Sequence, residues 1–149
     1  MNAELHTLAT DINLSDDAHR ALRFRFGLAC ANRVRHRLEQ PRAAELLDVL
    51  QRYVDGGIAD AALATAAAEA ALVATQHRGS TSIDGTQHSA VSATYAVANA
   101  LAGRALAAAD YAAYSMVYGY GTYAVNDPES FAPEHAWQVA TLRQLLRVE

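Results

Sequence analysis

Residues 20–39 read Arg-Ala-Leu-Arg-Phe-Arg-Phe-Gly-Leu-Ala-Cys-Ala-Asn-Arg-Val-Arg-His-Arg-Leu-Glu, and within them Leu22, Phe26, Cys30, Val34 and Leu38 recur every fourth position. Side chains at that spacing fall on one side of an α-helix, and Ala29 and Ala31 fill beside them, so the stretch carries a single apolar stripe. Just upstream, Ser15 offers a capping hydroxyl, and Asp16 and Asp17 place carboxylates at the positive end of the helix dipole. The pattern predicts a helix from about Asp16 to Glu39, which Pro41 closes or follows with the start of the next.

Outward from this stripe the same reasoning yields further helices. Arg42 to Val54 sets Leu46, Leu47, Leu50 and Val54 on one face and stops at Asp55-Gly56-Gly57, which places two helices in antiparallel contact. Ile58 to His77 reads as a third helix with Asp60 near its start, and the polar, glycine-containing run from Arg78 to Gly85 reads as the longest loop. Thr86 to Tyr118 is helical again and breaks into two near Asn99 to Gly103, because Gly103 weakens a helix interior. Gly119-Tyr120-Gly121 ends that part, and Pro133 opens a last helix that runs to about Arg147. The segment before Ser15 has room for one short helix. No repeat of fixed period is present, so the expected fold is all-α, a compact bundle of about six to seven antiparallel helices in one domain over residues 1–149, with 1–14 an extension or short helix.

Composition sets how such a bundle is filled. Of 149 residues 34 are alanine, which buries little area but lets helix backbones approach closely, so the core depends on helix proximity plus Leu, Val and Tyr. No apolar run approaches the roughly 20 residues of a spanning helix, and Asp60 and Glu69 interrupt the alanine-richest stretch, so no membrane association is expected. The first residues include Glu4 and Asp11 and lack the basic-then-apolar pattern of a secretory signal. A lone cysteine, Cys30, suits a reducing compartment, so the expected location is cytoplasmic. All 12 basic side chains are arginine and none is lysine, a bias better explained by GC-rich coding than by selection against lysine modification.

Several groupings carry possible chemistry. Residues 20–42 hold seven arginines (Arg20, Arg23, Arg25, Arg33, Arg35, Arg37, Arg42) against one acid, Glu39. Clustered guanidiniums suit phosphate contact, but these are spread around a helix in a chain of net charge −4, so intramolecular pairing and solvated faces are the better reading, and nucleic acid is not an expected partner. His77, Asp84 and His88 are the raw material of a metal site or acid–base pair, yet the two histidines lie eleven apart across a loop, not three or four apart on a helix. Ser80, Thr81 and Ser82 read as turn and capping hydroxyls, and no Gly-Lys-Ser or Gly-Lys-Thr follows Gly79 or Gly85. No catalytic residue, metal or cofactor is therefore expected. Tyr111, Tyr114 and Tyr118 share one helical face, with Tyr120 and Tyr123 following; such rings either fill gaps between alanine helices or form a partner-binding surface. Trp137 reads as a core anchor.

Phe26 through Cys30-Ala31-x-Arg33-Val34, then Pro41, a helix ending at Gly57-Ile58, alanine-rich helices, and finally Glu134-x-x-Trp137-Gln138-x-x-x-Leu142 form a recognisable pattern over about residues 18–147. It resembles a bacterial family of alanine-rich, all-helical immunity proteins found with polymorphic toxins. The resemblance implies a protein that binds a cognate toxin or effector and blocks its active site or assembly without chemistry of its own. The segment from His77 to His88 and the tyrosine-rich segment depart from the family pattern, so partner contacts are expected there: His77, Arg78, Asp84, His88, Tyr114, Tyr118, Tyr120 and Tyr123. Two rival readings are a metal- or small-molecule-binding bundle using His77, Asp84 and His88, and a nucleic-acid-binding regulator using the arginine-rich helix. The oligomeric state is not legible in the sequence.

Overall fold

The computed structural model describes residues 1–77 and 86–148 of the chain. Among them are seven α-helices, α1 (Ala3–Asp11), α2 (Arg20–Arg33), α3 (Pro41–Val54), α4 (Asp60–Gln76), α5 (Thr86–Leu101), α6 (Ala105–Tyr118) and α7 (Ala132–Val148), and no strand. The fold is the all-α bundle expected.

The long helix expected over residues 16–39 is instead three pieces: a 3₁₀ turn at Asp17–His19, then α2, then a second 3₁₀ turn at Arg35–Arg37. At the first end Asp16, not Ser15, is the cap, its carboxylate accepting the Ala18 amide at 2.9 Å. At the second end Val34 leaves the helical region (φ −112°, ψ 13°) and its amide bonds back three residues to Ala31 at 3.1 Å. The side chain of Val34 is fully buried there, so packing holds the bend. The stripe itself is correctly oriented, with Leu22, Phe26, Cys30 and Val34 wholly buried and Leu38 half-buried.

A second face of α2 is also covered. Phe24, Leu28 and Ala31 join Leu46, Leu47, Leu50, Leu63, Val97 and Leu101 in one apolar cluster. Leu22, Phe26 and Cys30 join Leu5, Leu142 and several alanines in another. Thus α2 packs directly on α3, α5, α6 and α7, while α4 completes the first cluster against α3 and α5 and α1 completes the second against α7, with α5 and α6 contributing to both.

Alanine sets the spacing of α5 and α6, which make the most extensive helix pairing in the protein. Ala93, Ala96 and Ala100 of α5 and Ala105, Ala108, Ala109 and Ala112 of α6 are all buried, and side chains this short let two backbones close on each other. The closeness permits a reciprocal clasp: the Ser89 hydroxyl donates to the Ser115 carbonyl at 2.6 Å, and the Ser115 hydroxyl donates to the Ser89 carbonyl at 2.7 Å. Helix α2 approaches α5 as tightly, since a Cβ on Gly27 would lie 3.2 Å from the Ala100 backbone.

Both glycine stops work as the sequence implies. At the end of α5, Gly103 (φ +76°) donates to Ala100 and Arg104 donates to Asn99, the paired bonds of a Schellman motif, which needs the left-handed conformation that glycine adopts without strain. Gly56 (φ +81°) and Gly57 repeat the pattern on Tyr53 and Arg52 at the end of α3. Finally, α1 is tied to α7: the Asn2 amide donates to the His135 carbonyl at 3.0 Å and to the Gln138 side chain at 3.1 Å, while its oxygen caps α1 through the Leu5 amide.

Candidate protein-binding surface

The tyrosines of α6 form the centre of an aromatic belt. Tyr111 stacks on Tyr95 of α5 with ring centroids 5.2 Å apart, and Tyr118 stacks with His88, also of α5, at 5.1 Å. Tyr114 contacts Tyr118 at 6.3 Å and meets Phe131 edge-on at 5.2 Å; Phe131 in turn meets His135 of α7 at 5.6 Å. Helical spacing aligns the three α6 rings, and the 3₁₀ turn at Pro128–Phe131, capped by Asp127 through the Glu129 amide, delivers Phe131 to them. The belt is partly open to solvent, Tyr111 and Tyr114 each being 37% exposed; Tyr120 and Tyr123, which follow α6, are 52% and 78% exposed and join no ring contact of the belt among the described residues. The expected binding residues His88, Tyr114 and Tyr118 are therefore brought together. Tyr95, Phe131 and His135 belong with them but lie on other elements, so no local spacing marks them.

His77 goes elsewhere. Its side chain is only 5% exposed, and Nε2 lies 3.8 Å from the Glu39 carboxylate, in the connection between α2 and α3. Nε2 makes no hydrogen bond among the described residues. His88, by contrast, is exposed beside Tyr118. Arg78 and Asp84 lie outside the described residues, as do Gly79 to Ser82 and Gly85. Among the described residues no three His, Cys, Asp or Glu side chains are grouped to hold a metal ion.

Arg33 at the end of α2 meets Glu134 and Trp137 of α7. Arg33 donates to both Glu134 oxygens, at 2.7 and 3.0 Å, and its guanidinium lies 4.4 Å from the centre of the Trp137 ring. Glu134 is buried; Arg33 is partly exposed, and its bond to Glu134 raises its pKa above the ordinary arginine value. Gln138 donates to the Ala109 carbonyl at 2.8 Å and so joins α7 to α6. These residues hold α2, α6 and α7 in register. Trp137 is half-buried against the second cluster, with the guanidinium covering one face.

The arginine-rich stretch is largely occupied within the molecule. Arg20 lies over the Phe24 ring at 4.9 Å, and Arg23 donates to the Leu14 and Asp16 carbonyls at 2.7 Å each. Arg35 pairs with Asp48, Arg37 donates to His36, and Arg42 bridges Glu45 and Glu69. A polyanion would have to compete with these partners for the guanidiniums.

Burial also decides the behaviour of Cys30, the thiol lying fully inside the second cluster. Loss of hydration pushes its pKa far above the ordinary thiol range, against the opposing pull of Arg33. The folded thiol is expected to resist a thiol reagent at about pH 8 and to react stoichiometrically once denatured; rapid labelling of native protein would contradict its burial. The linked effect on stability has a defined sign. Above the ordinary thiol pKa the unfolded chain loses a proton that the folded chain keeps, so stability falls as pH rises through that range.

Comparison of the chain with models of protein families, with curated proteins and with solved structures returns no match. Among the described residues no helix is long and apolar enough to cross a membrane.

Proposed function

We propose that this is a protein-binding helical bundle, and that it acts as an immunity protein: it binds a cognate bacterial toxin in the cytoplasm and occludes it, with no chemistry of its own. The observation that supports this reading is the aromatic belt on α5, α6 and α7. Tyrosine is among the residues that dominate binding energy at protein interfaces, and rings already stacked on rigid helices lose little conformational freedom on docking. The Cys30-Ala31-x-Arg33-Val34 and Glu134-x-x-Trp137-Gln138 segments fit the same reading as its scaffold, since they join the helices from which the belt projects.

Co-expression with the toxin encoded beside the gene in its host tests this directly. Protection of the cells and a stable complex are expected. Tyr114→Ala and Tyr123→Ala are each expected to weaken the complex by about tenfold or more, with unchanged helical circular dichroism, because both side chains reach solvent. Absence of protection together with absence of a complex would remove the proposal.

A further inference from the structure

The connection from α1 to α2 and the start of α6 line a cavity of about 520 Å³ that shares no residue with the aromatic belt. Leu14, Ala105 and Leu106 give it apolar surface, and its only charged lining residues are Arg23 and Arg104. No carboxylate lines it. Of the acids close in sequence, Asp16 turns its carboxylate to the Ala18 amide, Asp11 lines a different hollow beside His6, and Asp110 acts on His135 of α7. Arg104 is exposed and makes no hydrogen bond or ion pair among the described residues.

Arg23 is anchored through one nitrogen alone. Its Nη1 donates to the Leu14 and Asp16 carbonyls, at 2.7 Å each, and because these acceptors are neutral they fix the guanidinium without cancelling its charge. Nε and Nη2 have no acceptor among the described residues. That is the edge with which Arg33 grips Glu134, Nε at 2.7 Å and Nη2 at 3.0 Å, and its fork matches the paired oxygens of a carboxylate or phosphate. Ser15 adds an unused hydroxyl to the lining, since Asp16 caps the next turn in its place. No side chain caps α6, so the positive end of that helix dipole has the same sign as the two guanidiniums.

From this arrangement we infer that the cavity binds a small amphiphilic anion, with an oxyanion head, carboxylate or phosphate, held by Arg23 and Arg104 and a compact apolar body against Leu14, Ala105 and Leu106. Uncompensated like charges around one hollow attract a counter-charge. An inorganic anion would leave the apolar walls wet, and an uncharged ligand would leave the guanidiniums unpaired; the cavity volume lies in the range of small-ligand sites. The inference does not depend on the belt or on toxin binding.

The test uses the whole protein, followed by NMR of its backbone amides and methyl groups, and four probes: hexanoate, hexyl phosphate, uncharged hexanamide and acetate. At least one of the two hexyl anions is expected to give saturable shifts at Leu14, Ala105 and Leu106 and to bind at least about fivefold more tightly than hexanamide and than acetate, with affinity falling as salt rises. Which of the two binds better identifies the head group. Arg104→Gln, a change at an exposed side chain without partners, is expected to reduce the preference over hexanamide about threefold or more while hexanamide binding stays unchanged. Hexanamide or acetate matching the better hexyl anion would overturn the inference. So would shifts confined to other residues, an unchanged preference in Arg104→Gln, or no saturation up to about 50 mM.

Discussion

Arg33→Ala is expected to lower the stability of the fold by about 2–4 kcal/mol, chiefly because of what it leaves behind. Glu134 is buried and takes both of its strongest hydrogen bonds from that guanidinium. Without it the carboxylate must be held unpaired in a poorly hydrated place or take up a proton, and the Trp137 ring loses the cation over its face. Urea denaturation followed by circular dichroism reads the effect as a lower midpoint. A double variant, Arg33→Met with Glu134→Leu, provides the control: removing both charges removes the desolvation penalty, so it is expected to retain more stability than Arg33→Ala alone. A double variant less stable than the single one would show that the pair stabilises by attraction well beyond its desolvation cost.

Phe26→Ala is expected to be still more damaging, by about 3–5 kcal/mol, which for a chain of this size lowers the thermal midpoint by roughly 10 °C. Phe26 is the largest of the wholly buried side chains, and many of its companions in the second cluster are alanines. Leucine and methionine can swing into a cavity by changing rotamer, but alanine has no rotamer to change. The void can close only by moving helices that are already in backbone contact elsewhere, as at Gly27 and Ala100. Calorimetry showing a loss below about 1.5 kcal/mol would mean that the helices close over the space.

Much of the fold is legible where a boundary depends on nearby residues. The stops at Gly56 and Gly103 are local chemistry, and so is the break between α5 and α6. The end of α2 is not, because the burial of Val34 reflects helices distant in sequence. The same limit explains the second apolar face of α2: Phe24 and Leu28 sit among arginines, and only the arrival of α3 and α4 gives them a core to enter. In the belt, the shared face of Tyr111, Tyr114 and Tyr118 follows from spacing, whereas Tyr95, Phe131 and His135 join it only through tertiary contact. The arginine-rich stretch shows both sides. Its charge count suggests internal pairing, but Glu134 lies 101 positions from Arg33, and no window of sequence links them.

The bond between Asn2 and Gln138 spans 136 positions, and it has a consequence for synthesis on the ribosome. Helix α1 is made before α7, and its Leu5 is completely covered in the folded protein, in the cluster to which Leu142 of α7 also belongs. At ordinary elongation speeds α7 follows on the order of ten seconds later. Throughout that interval Leu5 and Ala9 of α1 wait for the helix that completes their cluster, so this apolar face stays open to the wrong contacts until α7 emerges.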